Sequence, residues 1–168
     1  MANTTFSGPI RSESTIKTIS KDATSGTITE VTTLGGAPVS LSDGNVTLTN
    51  ATHSGRVLLV PDGGQDNTYT LPAPIAGSMF RFVYAGGAAD ATDALIITPG
   101  NTNFYIGGIT HLDTNADNVT VFSNGSSNSS VQLNVPQAFD ITIIGKDTTN
   151  YQIFGTVTST TVPAFADQ

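Results

Sequence analysis

The strongest constraint on this chain is its punctuation. From Asp43 onward, Gly, Pro, Asn and Asp gather in Asp43-Gly44-Asn45, Pro61-Asp62-Gly63-Gly64, Pro72-Ala73-Pro74, Ala85-Gly86-Gly87, Pro99-Gly100-Asn101 and Asn124-Gly125-Ser126-Ser127. These residues supply the positive or fixed φ that tight turns need. Turn signals at intervals of roughly 8–12 residues are the mark of a sandwich or barrel.

Between the turns the apolar pattern has period two. Thr27-Ile28-Thr29-Glu30-Val31-Thr32 and Val46-Thr47-Leu48-Thr49 alternate as strands with one wet face do. Further strands are expected at 56–60, 68–71, 79–85, 94–98, 103–106, 119–122, 131–135, 139–144 and 151–157, giving about eleven in all. No window gives a long helical pattern, although 112–117 fits a single turn. The expected fold is all-β, an antiparallel β-sandwich or barrel-like domain over 26–168. Val57-Leu58-Leu59-Val60, Leu95-Ile96-Ile97 and Ile141-Thr142-Ile143-Ile144 are apolar on successive residues, so both faces of those strands should be covered, by a central position or by a subunit interface.

Residues 1–25 read differently, as an extended N-terminal arm. Gly8-Pro9 breaks regular structure, Ser and Thr are dense, and Phe6, Ile10, Ile16 and Ile19 are the sizeable apolar groups. Arg11, Lys17 and Lys21 give the arm half of the chain's six Lys and Arg, ahead of an acidic body. The net charge of −7 argues against binding nucleic acid, where affinity comes mainly from neutralising phosphates. The N-terminus has neither a basic nor a hydrophobic signal region, and no apolar run approaches the ~18 residues of a membrane span. Cysteine is absent, which removes disulfides and thiolate chemistry. The Asn-X-Ser/Thr triplets, as at Asn45 and Asn124, reflect an Asn- and Thr-rich composition.

The residues that carry chemistry do not assemble into a motif. His53 and His111 are the two histidines, no Gly-x-Ser-x-Gly elbow accompanies them, and both are expected on the surface or in turns. Asp113, Asn115 and Asp117 open like a calcium loop, but Asn118 and Asn124 stand where Gly and Glu are required, so an Asx-rich turn is the better reading. Glu13 and Glu30 give no glycosidase pair, and Gly86-Gly87 lacks the Lys-Ser/Thr of a phosphate loop. Tyr69, Tyr84, Tyr105 and Tyr151 offer aromatic platforms for a sugar, yet each also fits a sheet position. The chain is therefore read as no enzyme, with no catalytic residue, metal ligand or cofactor.

Two passages resemble a known group. Ala2-Asn3-Thr4-Thr5-Phe6-Ser7-Gly8-Pro9-Ile10-Arg11-Ser12 resembles the start of small structural proteins encoded near the capsid genes of tailed phages, particularly of marine hosts. Gly55–Val60, through Thr68-Tyr69-Thr70-Leu71-Pro72-Ala73-Pro74, to Gly77-Ser78-Met79-Phe80-Arg81-Phe82 is similar to a β module recurring in phage virion proteins. The resemblance implies a capsid decoration (cement) protein on the outer capsid surface of the virion. Its partners would be the major capsid protein and two further copies in a homotrimer, and its arm residues Phe6, Ile10, Arg11, Lys17 and Lys21 would bind the capsid. Neither nucleic acid nor membrane is an expected partner. The alternative expectation is a tail fibre or baseplate β module with host-glycan binding.

Overall fold

The computed structural model describes residues 18–22, 24–31, 37–87, 90–113 and 118–168, and the chain divides into two units, Met1–Gly36 and Ala37–Gln168. In the first unit β1 (Thr18–Lys21) pairs antiparallel with β2 (Ile28–Val31), Thr18 opposite Val31 and Lys21 opposite Ile28. Asp22 fixes the turn between them: its Oδ1 accepts from the backbone N–H groups of Ser25 and Thr24 at 2.6 and 2.8 Å, which holds its carboxyl below the usual range. Residues 28–31, assigned by pattern to the body, thus pair with residues assigned to the arm. Phe6, Ile10, Arg11 and Lys17 lie outside the described residues.

The second unit has twelve described strands in two sheets packed face to face. From β3 (Val39–Ser40) through β4 (Val46–Thr47), β5 (Arg56–Val60), β6 (Asn67–Thr70), β7 (Met79–Tyr84) and β8 (Ala94–Ile97), the chain alternates between the sheets. Strands β3, β5 and β7 run parallel as neighbours in one sheet, and β4, β6 and β8 do so in the other. The second half adds β9 (Phe104–Asp113), β10 (Val119–Phe122), β12 (Ala138–Gly145) and β13 (Asn150–Ser159) to the first sheet. It adds β11 (Ser130–Leu133) and β14 (Ala164–Ala166) to the second. The orders are β10-β9-β13-β12-β7-β5-β3 and β14-β11-β8-β6-β4.

The expected sandwich is therefore present, but its sheets are mixed. Hairpins give antiparallel neighbours only when consecutive strands share a sheet. Between β3 and β8 consecutive strands lie in opposite sheets, so each pairs with the next strand but one, which runs the same way. The chain is wound here as in a short two-sided solenoid.

The core fills the space between the sheets, with Leu58, Val60, Phe80, Phe82, Ile141, Ile143, Ile153 and Val157 from the larger sheet facing Tyr69, Ile96, Val131 and Leu133 from the smaller. Tyr69 and Phe82 meet with ring centroids 6.0 Å apart, and Phe80 and Tyr151 meet edge-on at 6.4 Å. The strands apolar on successive residues are central ones, β5, β8 and β12, each paired on both sides. Their second apolar sets, Val57 and Leu59, Leu95 and Ile97, and Ile144, remain half-buried on outer faces.

Besides β1, three short features escaped the period-two pattern: β3, β14 and the single helical turn α1 (Asn50–His53). Thr49 caps α1, its Oγ1 accepting from the Thr52 N–H at 3.3 Å. The helical turn expected at 112–117 is displaced by β9, which runs on through Leu112 and Asp113, and 114–117 lie outside the described residues. Pairing of β11 stops at Leu133, and Val135 beyond it takes a φ of +40° that a strand cannot accommodate.

Candidate binding face

Alternation in the larger sheet sends Phe80, Phe82, Ile141, Ile143 and Ile153 inward and their sequence neighbours outward. The register then builds the outer face row by row. Phe122 stands opposite Gly108, Gly108 beside Phe154, Phe154 opposite Thr142, Thr142 opposite Arg81, and Arg81 beside Val57. Adjacent rows run Ile106, Gln152, Ile144, Met79 and Thr110, Thr156, Asp140, Val83. Phe122 and Phe154 are the two most exposed phenylalanines of the described chain, at 69% and 47%. The Phe122 ring leans over Gly108, where an added Cβ would lie 2.7 Å from it.

A shallow groove of about 460 Å³ opens on this face, lined by Met79, Arg81, Asp140, Thr142, Phe154, Gly155 and Thr156. Arg81 and Asp140 are diagonal neighbours on β7 and β12, and the guanidinium grips both carboxylate oxygens, from Nε at 2.8 Å and Nη2 at 2.5 Å. The hydrogen bond and then the charge of Arg81 hold the Asp140 carboxyl below its ordinary range, and the carboxylate raises Arg81 in turn. With both side chains nearly half exposed the pair contributes ~0–1 kcal/mol, so it orients two polar groups more than it stabilises the sheet. Gly155, in register with the inward-facing Ile141, leaves no room for a side chain: an added Cβ would sit 2.2 Å from the Asp140 carbonyl oxygen, and its φ of +152° disfavours other residues.

The histidines separate. His53 ends α1, half-buried, its Nδ1 accepting from the Thr49 N–H at 3.0 Å. His111, expected on the surface or in a turn, is instead fully buried on the inward side of β9. Its Nε2 lies 3.0 Å from the Ser159 Oγ, which donates to the Thr161 carbonyl at 2.7 Å. The ring N–H is therefore the donor to Ser159, opposite to the proton direction that activates a nucleophile. His111 Nδ1 has no hydrogen-bond partner, and Ser159 is as enclosed as the ring. Sequence reasoning missed this burial because the strand was expected to end at 106, whereas β9 runs on to Asp113.

The acidic residues of the turns cap backbone. Asp43 accepts from Gly64 N–H at 3.0 Å, Asp66 from Asp93 N–H at 3.0 Å, and Asp93 from Val135 N–H at 2.9 Å and Gln132 Nε2 at 2.6 Å. Asp113 N–H donates to Asn118 Oδ1 at 3.1 Å, while Asn115 and Asp117 of the calcium-like stretch lie outside the described residues. Among the described residues no three His, Asp or Glu side chains gather as a metal site. Tyr69, Tyr105 and Tyr151 are fully buried and Tyr84 is half-buried, so the sugar-platform reading of the tyrosines gives way to the sheet reading. Tyr105 donates to the Ile96 carbonyl at 3.1 Å and Tyr151 to the Pro72 carbonyl at 2.8 Å. The exposed aromatic surface belongs to Phe122 and Phe154, which the search for tyrosines passed over.

No protein-family model matches the chain, and no curated protein matches it in sequence.

Proposed function

We propose that this chain is a virion structural protein, a capsid decoration (cement) protein that binds the outer head surface of a tailed phage and stabilises contacts between major capsid subunits. The observation that supports it best is the division of the chain into two units of different charge. Residues 1–36 balance Arg11, Lys17 and Lys21 against Glu13, Asp22 and Glu30, whereas residues 37–168 hold ten carboxylates against three cations and so carry the whole net charge of −7. A small neutral unit with its own cations and apolar anchors is suited to attachment. A tightly wound acidic sandwich is suited to display.

In this reading Phe6 and Ile10 enter apolar hollows of the capsid while Arg11, Lys17 and Lys21 pair with its carboxylates. Exposed ion pairs contribute only ~0–1 kcal/mol each, so the apolar anchors and added backbone hydrogen bonds carry most of the affinity. Three copies act together as a homotrimer, and symmetric repetition turns modest contacts into resistance against the pressure of packaged DNA.

Binding of the full chain and of a 22–168 truncation to undecorated heads, at low and high salt, tests the proposal. Binding that vanishes on truncation supports it, and undiminished binding removes the anchoring role of the arm. Cryo-electron microscopy of intact particles separates head from tail: density confined to the tail would replace this reading with the fibre or baseplate alternative.

A further inference from the structure

We infer that the groove between Phe154 and the Arg81–Asp140 pair is a binding site for a neutral sugar, recognised through vicinal hydroxyls and one C–H face of a pyranose ring. The inference is independent of capsid attachment. Its volume of about 460 Å³ lies within the range of small-ligand sites, and its lining combines an exposed ring, the backbone of Gly155 and four polar side chains. The Phe154 ring, nearly half exposed on the outer sheet face, offers a platform for axial C–H groups. The backbone of Gly155 lines the groove beside it.

The ion pair supplies the selectivity. Its bidentate geometry uses two of the five guanidinium N–H donors and one lone pair on each carboxylate oxygen, so further donors and acceptors stand side by side at the rim. A vicinal diol is the matching partner, because each hydroxyl both donates and accepts. Thr142 and Thr156 add two hydroxyls to the lining.

Charge narrows the class further. Arg81 and Asp140 are the charged residues of the groove and cancel one another. An anion would meet Asp140 on a body that carries −7, and a cation would have to draw Asp140 away from Arg81. A neutral polyhydroxylated ring leaves the pair intact. A protein partner would need some 800 Å² of matched surface on each side, far beyond this groove.

The test titrates the full chain with methyl glycosides of glucose, galactose and mannose, following backbone amide shifts, with N-acetylneuraminic acid as an anionic comparison. Saturable millimolar shifts centred on 79–81, 140–142 and 154–156 are expected for at least one neutral glycoside. Phe154→Ala and the near-isosteric Asp140→Asn should each weaken binding about tenfold while the β-sheet circular dichroism is kept, and Thr156→Val checks the contribution of a hydroxyl without altering shape. Absence of shifts with all three glycosides would overturn the inference, as would equal or tighter binding of N-acetylneuraminic acid. A change of oligomeric state in Phe154→Ala without any glycoside binding would also overturn it and assign the face to protein contact.

Discussion

His111 and Ser159 meet inside the sandwich, Nε2 3.0 Å from Oγ, on the adjacent parallel strands β9 and β13. The hydroxyl passes its own proton on to the Thr161 carbonyl, so the pair works as a clasp holding the end of β13 to β9. Replacing His111 by Ala removes the ring from an enclosed site and costs Ser159 its donor, with an expected loss of about 2–4 kcal/mol. His53→Ala, which removes only a capping contact at α1, should cost about 1 kcal/mol or less. Urea unfolding of the two variants checks the contrast.

Alkaline unfolding should be governed by the buried tyrosines. Burial raises Tyr105 and Tyr151, and burial followed by the charges of Asp43 and Asp90 pushes Tyr69 up to about 12. A folded-state pKa above the unfolded value means that stability is intact below about 10 and is lost as pH rises toward about 12, where the unfolded chain ionises first. The tyrosinate absorbance of these three residues should therefore appear together with loss of the β-sheet circular dichroism signal. Tyrosinate from more than one residue, the half-buried Tyr84, forming well before unfolding would contradict the burial.

Val135 stores removable strain. Its φ of +40° places a β-branched residue in the left-handed region, and its N–H is tied to Asp93 Oδ1 at 2.9 Å. Asn tolerates this conformation and keeps the N–H, so Val135→Asn should raise stability by about 1 kcal/mol. Thermal unfolding of the variant reads the gain as a higher midpoint.

Gly155 should resist every substitution. A Cβ there would approach the Asp140 carbonyl oxygen to 2.2 Å and the Ile141 Cα to 2.7 Å, both backbone atoms of the paired strand. Gly155→Ala must part β13 from β12 or change its φ, with an expected cost of about 3 kcal/mol or more. Gly125→Ala, whose Cβ meets nothing within 4 Å, isolates the φ contribution at +75° and should cost about 1–2 kcal/mol. Equal losses in the two variants would show that the close approach of β12 adds nothing.

That this chain is built of short strands is legible residue by residue, because turn chemistry and period two act locally. Strands such as Arg56–Val60 and Val119–Phe122 coincide with their patterns, and the inward members of the alternating sets, Phe80, Phe82, Ile141 and Ile143, form the core. Pairing was decided only in the tertiary structure. Val57 and Leu59 mark β5 as a central strand, but nothing within 56–60 says that its neighbours would be β7 and β3 running parallel to it. That follows from the chain crossing to the opposite sheet at each turn, a choice made by packing two sheets on one core. The candidate groove was illegible for the same reason. Arg81, Asp140 and Phe154 are far apart in sequence, each reads locally as the outward member of an alternating strand, and only the register of β7, β12 and β13 sets them side by side. His111 was illegible for a related reason: the strand pattern was read only over 103–106, and the extension of β9 to Asp113, with the Ser159 hydroxyl that makes a buried imidazole tolerable, depends on the parallel pairing of β9 with β13.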